Sequence, residues 1–192
     1  MGGFQNVSFS KTHFTPHHST HYNIERVLIH IEDLSTSATI HPVSNLDDIP
    51  PQLLQFLFQE YNDEVNRGDT QPFFEPLTLE EFKSYWFGQF VGLMIIGDST
   101  EFDTNLSADD WSKRCLGSFF IKSNYPGRCS QVCTMNLIVN AGIRKRGIGF
   151  FLCECFVRWA PMLGYNNCLI EMVFDTNVAA KKVLSKGAFI KL

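Results

Sequence analysis

The sequence predicts an α+β domain: a mixed, mostly antiparallel sheet that carries one parallel strand pair and is flanked by helices. Three observations lead there. Short strand-like runs such as Phe90 to Ile96 and Leu116 to Lys122 succeed one another with polar turns between them, as antiparallel neighbours do. Helical periodicity occurs in separate blocks, from Leu53 to Val65 and from Ile148 to Trp159. One strand, Thr134 to Val139, then leads through a turn and a helix into another, Cys168 to Phe174, the order of a crossover between parallel strands.

Residues 1 to 22 read as a flexible tail rich in Ser, Thr and His, with His13, His17, His18 and His21 solvated, and 23 to 192 as one domain. Ile24 to Ile31 and Ala38 to Val43 are the first strand candidates. Asp47 or Asp48 before Ile49-Pro50-Pro51 signals a helix start. Leu53, Leu54, Phe56, Leu57, Tyr61 and Val65 then give one apolar face that ends at Arg67-Gly68. Thr78-Leu79-Glu80-Glu81 is a capping box opening a second helix through Trp86. After the strand Phe90 to Ile96, residues 98 to 112 are acidic and polar and read as a hairpin loop. The helix from about Gly147 to Ala160 buries Ile148, Phe151, Leu152, Cys155, Phe156 and Trp159, and Pro161 ends or kinks it. Asn177 starts a last helix that Gly187 stops, and Phe189 begins a strand cut off at Leu192.

Composition narrows the function. The chain has 192 residues, 44% of them hydrophobic, enough for one full core. A formal charge of −4 argues against a general nucleic-acid or anionic-membrane binder, and no run approaches the ~20 apolar residues of a membrane span. A cytosolic or nuclear address is expected, the cytoplasm first. The six cysteines read as free thiols, and Cys129-x3-Cys133 lacks a second pair at zinc-site spacing, so no metal is expected.

The most chemically informative stretch is Arg144-Lys145-Arg146-Gly147-Ile148-Gly149, between an apolar strand and an amphipathic helix. Its glycines let backbone approach a ligand closely, the helix start offers unpaired N–H groups, and three cations attract polyanions. It reads as a pyrophosphate cradle, the alternative being a solvated basic loop.

Arg144-x-x-Gly147-x-Gly149 after Leu137-Ile138-Val139 resembles the coenzyme-A motif of the GNAT acetyltransferase superfamily. Asn177-x-x-Ala180 leading to Gly187-Ala188-Phe189 resembles its next motif. A narrower resemblance is to the fungal acetyltransferases that detoxify proline analogues such as azetidine-2-carboxylate. Leu116 to Lys122, Asn124-Tyr125, Arg128-Cys129-Ser130, Cys133, Val139-Asn140 and Trp159 to Tyr165 carry it. The superfamily resemblance implies a GNAT-like sheet and transfer of an acetyl group from acetyl-CoA to an amine. It implies backbone contacts to the coenzyme from Ile138, Val139 and the turn Arg144, Lys145, Arg146, Gly147, Ile148 and Gly149. Asn177 would touch the coenzyme arm or simply cap its helix.

The acceptor positions depart from the narrower family. Thr134 and Glu171 stand where asparagines are thought to hold the substrate, while Asn136 shares a face with Thr134. Glu171 is a candidate general base with its pKa raised by burial, against a solvent-facing or salt-bridged strand carboxylate, and Asn136 joins it as a catalytic candidate. Leu184 stands where many GNAT enzymes carry a tyrosine acid. The superfamily resemblance implies a further hairpin after Phe189 that is read here as missing, so the strand Cys168 to Phe174 is expected either to stay open or to be covered by a second copy, as a homodimer. Two readings follow: an acetyltransferase of a small amine, such as an amino acid or its toxic analogue, or a non-catalytic coenzyme-A-binding paralogue with a decayed acceptor site.

Overall fold

A computed structural model of the chain describes residues 5–8, 24–187 and 189–191. The element order is β1 (Gln5–Ser8), β2 (Val27–Ile31), β3 (Thr36–Val43), α1 (Pro51–Arg67), α2 (Leu79–Trp86), β4 (Phe90–Ile96), α3 (Ala108–Arg114), β5 (Cys115–Ser123), β6 (Val132–Val139), α4 (Ile148–Met162), β7 (Asn167–Ile170), α5 (Val178–Lys186) and β8 (Ile190–Lys191). The sheet runs β2-β3-β4-β5-β6-β7-β1-β8. Its pairs are antiparallel except β6 with β7. This is the expected α+β architecture with its parallel pair where the crossover predicted it.

Strand alternation splits the core into two layers. On one face Cys133 and Met135 pack with Phe119, Leu152, Phe156 and Trp159 of the α4 layer. On the other, Ile138 and Phe120 pack with Leu53, Tyr61, Phe82 and Trp86 of α1 and α2, and with Trp111 of α3. Gly117 permits the close β5–β6 contact, since a Cβ there would lie 2.5 Å from the Ile138 carbonyl oxygen.

Several expectations change. Residues 98–112 are not wholly loop: Ser107 caps α3 through a capping box with Asp110, and Trp111 anchors that helix in the core. Pro161 sits in the last turn of α4, and the helix ends one residue later at Met162. The strand expected over Cys168 to Phe174 is the shorter β7, and residues 171–174 leave the ladder. Its outer edge is neither open nor left to a second copy, because Gln5–Ser8 pair with it in antiparallel register and β8 pairs with β1 in turn. The argument for a homodimer from an uncovered β7 edge therefore falls. The remainder of the span read as a tail, with its four histidines, lies outside the described residues. Five cysteines are buried as small apolar groups, but Cys129 is exposed, and all six are free thiols. Among the described residues no helix is long and apolar enough to cross a membrane.

Candidate functional site

The site begins where β6 and β7 part. Their parallel ladder holds only Val132↔Asn167 and Cys133↔Cys168, and beyond it the strands splay. A cleft of about 890 Å³ occupies the opening, with α4, α5 and the loop after α1 around it.

The backbone of β6 supplies one wall. Asn140 N–H donates to the Leu116 carbonyl and Asn124 N–H to the Val132 carbonyl. By antiparallel alternation the even-numbered residues of β6 therefore bond to β5, while Leu137 and Val139 turn their backbone groups to the cleft. Of the two residues expected to contact a coenzyme arm through the backbone, Val139 turns its backbone groups to the cleft, whereas those of Ile138 are taken by β5. The Val139 carbonyl already accepts from Arg144 Nε at 3.3 Å.

The glycine turn follows directly. Gly147, at φ 76°, is the N-cap of α4, and no side chain caps that helix. The leading N–H groups thus face outward, with the partial positive charge of the helix end behind them. Gly149 is closely packed instead: a Cβ there would lie 3.3 Å from Val183 of α5 and 3.5 Å from Val139 of β6. Lys145 also holds a left-handed φ of 68°.

Sequence reading missed what holds the turn in place. Ala141 N–H donates to Glu60 Oε2 at 2.9 Å. Burial pushes the Glu60 carboxyl pKa up, partly offset by that N–H and by the Arg144 charge. Arg144 forms an ion pair with Glu64, which also holds Arg67 at 2.6 Å and accepts from Thr70 at 2.9 Å. Asn140 ties the same segment to α3 and β5, donating to the Ser112 and Cys115 carbonyls at 2.7 Å. The available signal was Glu60 and Glu64 one helical turn apart on α1.

Asn177 does cap its helix, its Oδ1 accepting from Ala180 N–H at 2.9 Å, and it also lines the cleft. Leu184 is buried on the inner side of α5.

At the other end of the cleft Thr134, Asn136 and Glu171 are brought together as lining residues. Asn136 Nδ2 donates to Gln71 Oε1 at 2.7 Å and lies 3.5 Å from Tyr85 Oη. Glu171 is exposed, so the solvent-facing carboxylate is found there and the buried general base is not. Its carboxylate accepts from Tyr125 Oη at 2.5 Å and from Asn124 Nδ2 at 3.2 Å. The same wall holds Lys122, and Asp69 lines the cleft with a buried Oδ1 that has no partner among the described residues. Neither was singled out from the sequence. Among the described residues no group of three or more His, Cys, Asp or Glu is arranged to hold a metal.

The arrangement offers uncapped N–H groups at one end, an extended backbone edge in the middle and polar side chains at the other. Comparison with known proteins places the chain among its relatives. The chain is 34% identical over 190 residues to protein SPT10 of Saccharomyces cerevisiae, covering 80% of this chain but 30% of SPT10. It is 30% identical over 144 residues to N-acetyltransferase aca1 of Schizosaccharomyces pombe, covering 73% of this chain and 68% of aca1. No protein-family model matches. Among solved structures, a GCN5-related N-acetyltransferase from Kribbella flavida aligns with a TM-score of 0.60 at 22% identity, over 77% of this chain and 80% of that one. The Salmonella typhimurium protein yncA with its cofactor acetyl-CoA aligns with a TM-score of 0.53 at 10% identity, over 79% of each chain.

Proposed function

The chain belongs to the GCN5-related (GNAT) N-acetyltransferases, a family of acyltransferases, and from that premise we propose that it moves an acetyl group from acetyl-CoA to the amine of a small molecule, an amino acid or a toxic amino-acid analogue. The observation that carries this reading is the splay of β6 from β7 beside the uncapped N-terminus of α4.

Acetyl-CoA would supply an activated acyl thioester. The residues present fit such a cosubstrate. N–H groups at Gly147, Ile148 and Gly149 bind its pyrophosphate, with Lys145 and Arg146 adding positive charge at the turn and Arg144 fixing the turn's shape through Glu64. The backbone edge at Leu137 and Val139 hydrogen-bonds the amides of the arm as an added strand would, and an N–H of that edge polarises the thioester carbonyl. The Asn177 amide nitrogen, left over from capping, faces the same arm. Thr134 and Asn136 orient the acceptor amine, which attacks unprotonated, so that a C–N bond forms as the thioester C–S bond breaks and a proton from water neutralises the departing thiolate. Exposed Glu171 serves as a proton acceptor at the rim, exchanging with water, in place of the desolvated base that its position first suggested.

A second reading, a coenzyme-binding paralogue without turnover, is favoured by one observation: Leu184, where a tyrosine acid is common, is buried and offers no proton. A thiol-release assay with acetyl-CoA over a panel of amino acids and simple amines decides. Amine-dependent thiol release supports acetyl transfer. Coenzyme binding with no release from any amine supports the paralogue.

A further inference from the structure

Lys122 stands on β5 opposite Thr134 of β6, on the face of the sheet that also carries Phe120 and Asn136. Its side chain is half-buried in the cleft wall. Its ammonium lies 4.2 Å from the centre of the Tyr85 ring and 4.5 Å from that of Phe120. Tyr85 in turn meets Asn136 through its hydroxyl. The cation is therefore at the acceptor end of the cleft, away from the glycine turn.

What Lys122 lacks is an anion. Among the described residues no carboxylate forms an ion pair with it. Glu171 on the same wall is already engaged by Tyr125 and Asn124. Ring faces attract an ammonium but accept no hydrogen bonds of ordinary strength, so its three donors are left to whatever enters the cleft. Burial accordingly pulls the Lys122 pKa down, with no neighbouring charge acting on it. A cation so placed, with an aromatic floor and an open side, is built for an anionic group on the ligand.

We propose that Lys122 anchors a carboxylate on the acceptor, so that the site selects amines that carry an acid group over simple amines. The inference rests on the acetyl-transfer reading of the cleft. In an α-amino acid the amine and the carboxylate share one carbon, so a carboxylate held at Lys122 keeps the amine beside its neighbours Thr134 and Asn136. From there it faces the β6 edge where the thioester carbonyl is polarised. A lysine side chain of a protein offers no acid group at that distance.

Glycine, alanine and proline, each paired with its own amide, test the idea by turnover at equal free-amine concentration. Calorimetry of the coenzyme-A-loaded protein with the N-acetyl derivatives of the same pairs tests it without turnover. Wild type should prefer each acid roughly ten- to hundredfold, the scale of one charge-assisted hydrogen bond. Lys122→Met should bring that ratio close to one, and Lys122→Arg should keep most of it. Equal turnover of acids and amides by wild type overturns the carboxylate anchor while leaving acetyl transfer intact, even if Lys122→Met fails to fold. A preference among the N-acetyl compounds that Lys122→Met abolishes, with no thiol release from any amine, upholds the anchor and removes the transferase reading. A preference that survives in folded Lys122→Met assigns selection to another residue and overturns the proposal.

Discussion

The Arg144 guanidinium is locked to the Glu64 carboxylate, a partner 80 residues earlier in the chain. The glycine turn is thereby tied to α1, and Arg144 shapes the cradle before it can act as a free cation. Glu64 is 5% exposed and Arg144 34%, so the pair is largely withdrawn from water. Arg144→Ala leaves that carboxylate with Arg67 and Thr70 and should cost about 1–3 kcal/mol of stability in urea denaturation. The double variant Arg144→Ala/Glu64→Gln should lose less than the sum of the two single variants, because the uncompensated charge is gone. Additive losses would mean the two side chains act independently.

Gly117 makes a sharper test of packing. An alanine Cβ would lie 2.5 Å from the Ile138 carbonyl and 3.0 Å from Leu152 Cδ1, and the first of these neighbours is backbone in the ladder. Gly117→Ala should cost about 1–3 kcal/mol, at the level of an overpacked core. Since the strain falls on β6 next to the cleft, acetyl-CoA affinity measured by calorimetry should drop as well.

Glu60 predicts a pH dependence. Its folded pKa is raised by burial above the ordinary 4.5, so in the window upward from there the folded protein keeps a proton that the unfolded chain has released. Stability contributed at Glu60 therefore falls as pH rises through that window. Glu60→Gln, whose amide oxygen can still accept from Ala141 N–H, should flatten the fall and raise stability at neutral pH. Urea midpoints of both proteins from pH 4 to 8 check this, all other titrating groups being common to the pair. A steeper decline in the variant would reverse the assignment.

The sequence made the frame legible because each element carried its own local signal. Phe90–Ile96 matched a strand in both bounds, Thr78 and Glu81 capped α2 as a box, and Asn177 capped α5. The glycine turn was legible because backbone geometry and charge coincide within six residues. Helix α3 was missed although Ser107 and Asp110 form the same kind of box, because the acidic run around it reads as loop. The non-local contacts were not legible at all. Nothing near Gln5–Ser8 in sequence points to β7, and Glu64, Gln71, Tyr85 and Lys122 gain meaning only when folding sets them around Arg144 and Asn136. At Glu171 the solvent-facing alternative holds, while its departure from the strand was not legible, since residues 171–174 leave the ladder just where strand alternation would have continued.

The glycines of the turn should fail differently. Gly147 needs its positive φ, so Gly147→Ala should cost roughly 1 kcal/mol of stability with a moderate loss of coenzyme affinity. At Gly149 the added atoms meet Val183 and Val139, and in Gly149→Asp a negative charge would also oppose the phosphates of a coenzyme bound at the helix start as proposed. Micromolar binding of acetyl-CoA is expected for wild type, and at least a roughly tenfold loss for Gly149→Asp, about 1.4 kcal/mol. Equal calorimetric affinities would remove the turn from the coenzyme site.

The last prediction concerns the edge that β1 covers. Gln5–Ser8 pair with Asn167–Ile170 on one side and carry β8 on the other, so removing residues 1–8 takes away both ladders at once. β7 would then present unpaired N–H and C=O groups on a short strand whose Cys168 and Ile170 belong to the core. Such an edge is a template for another chain. The shortened protein should therefore unfold at a lower temperature than the full chain and should associate at low micromolar concentration, as light scattering would report. A shortened protein with unchanged thermal unfolding and unchanged mass in solution would mean that β7 needs no cover, and the stabilising role given to Gln5–Ser8 would be withdrawn.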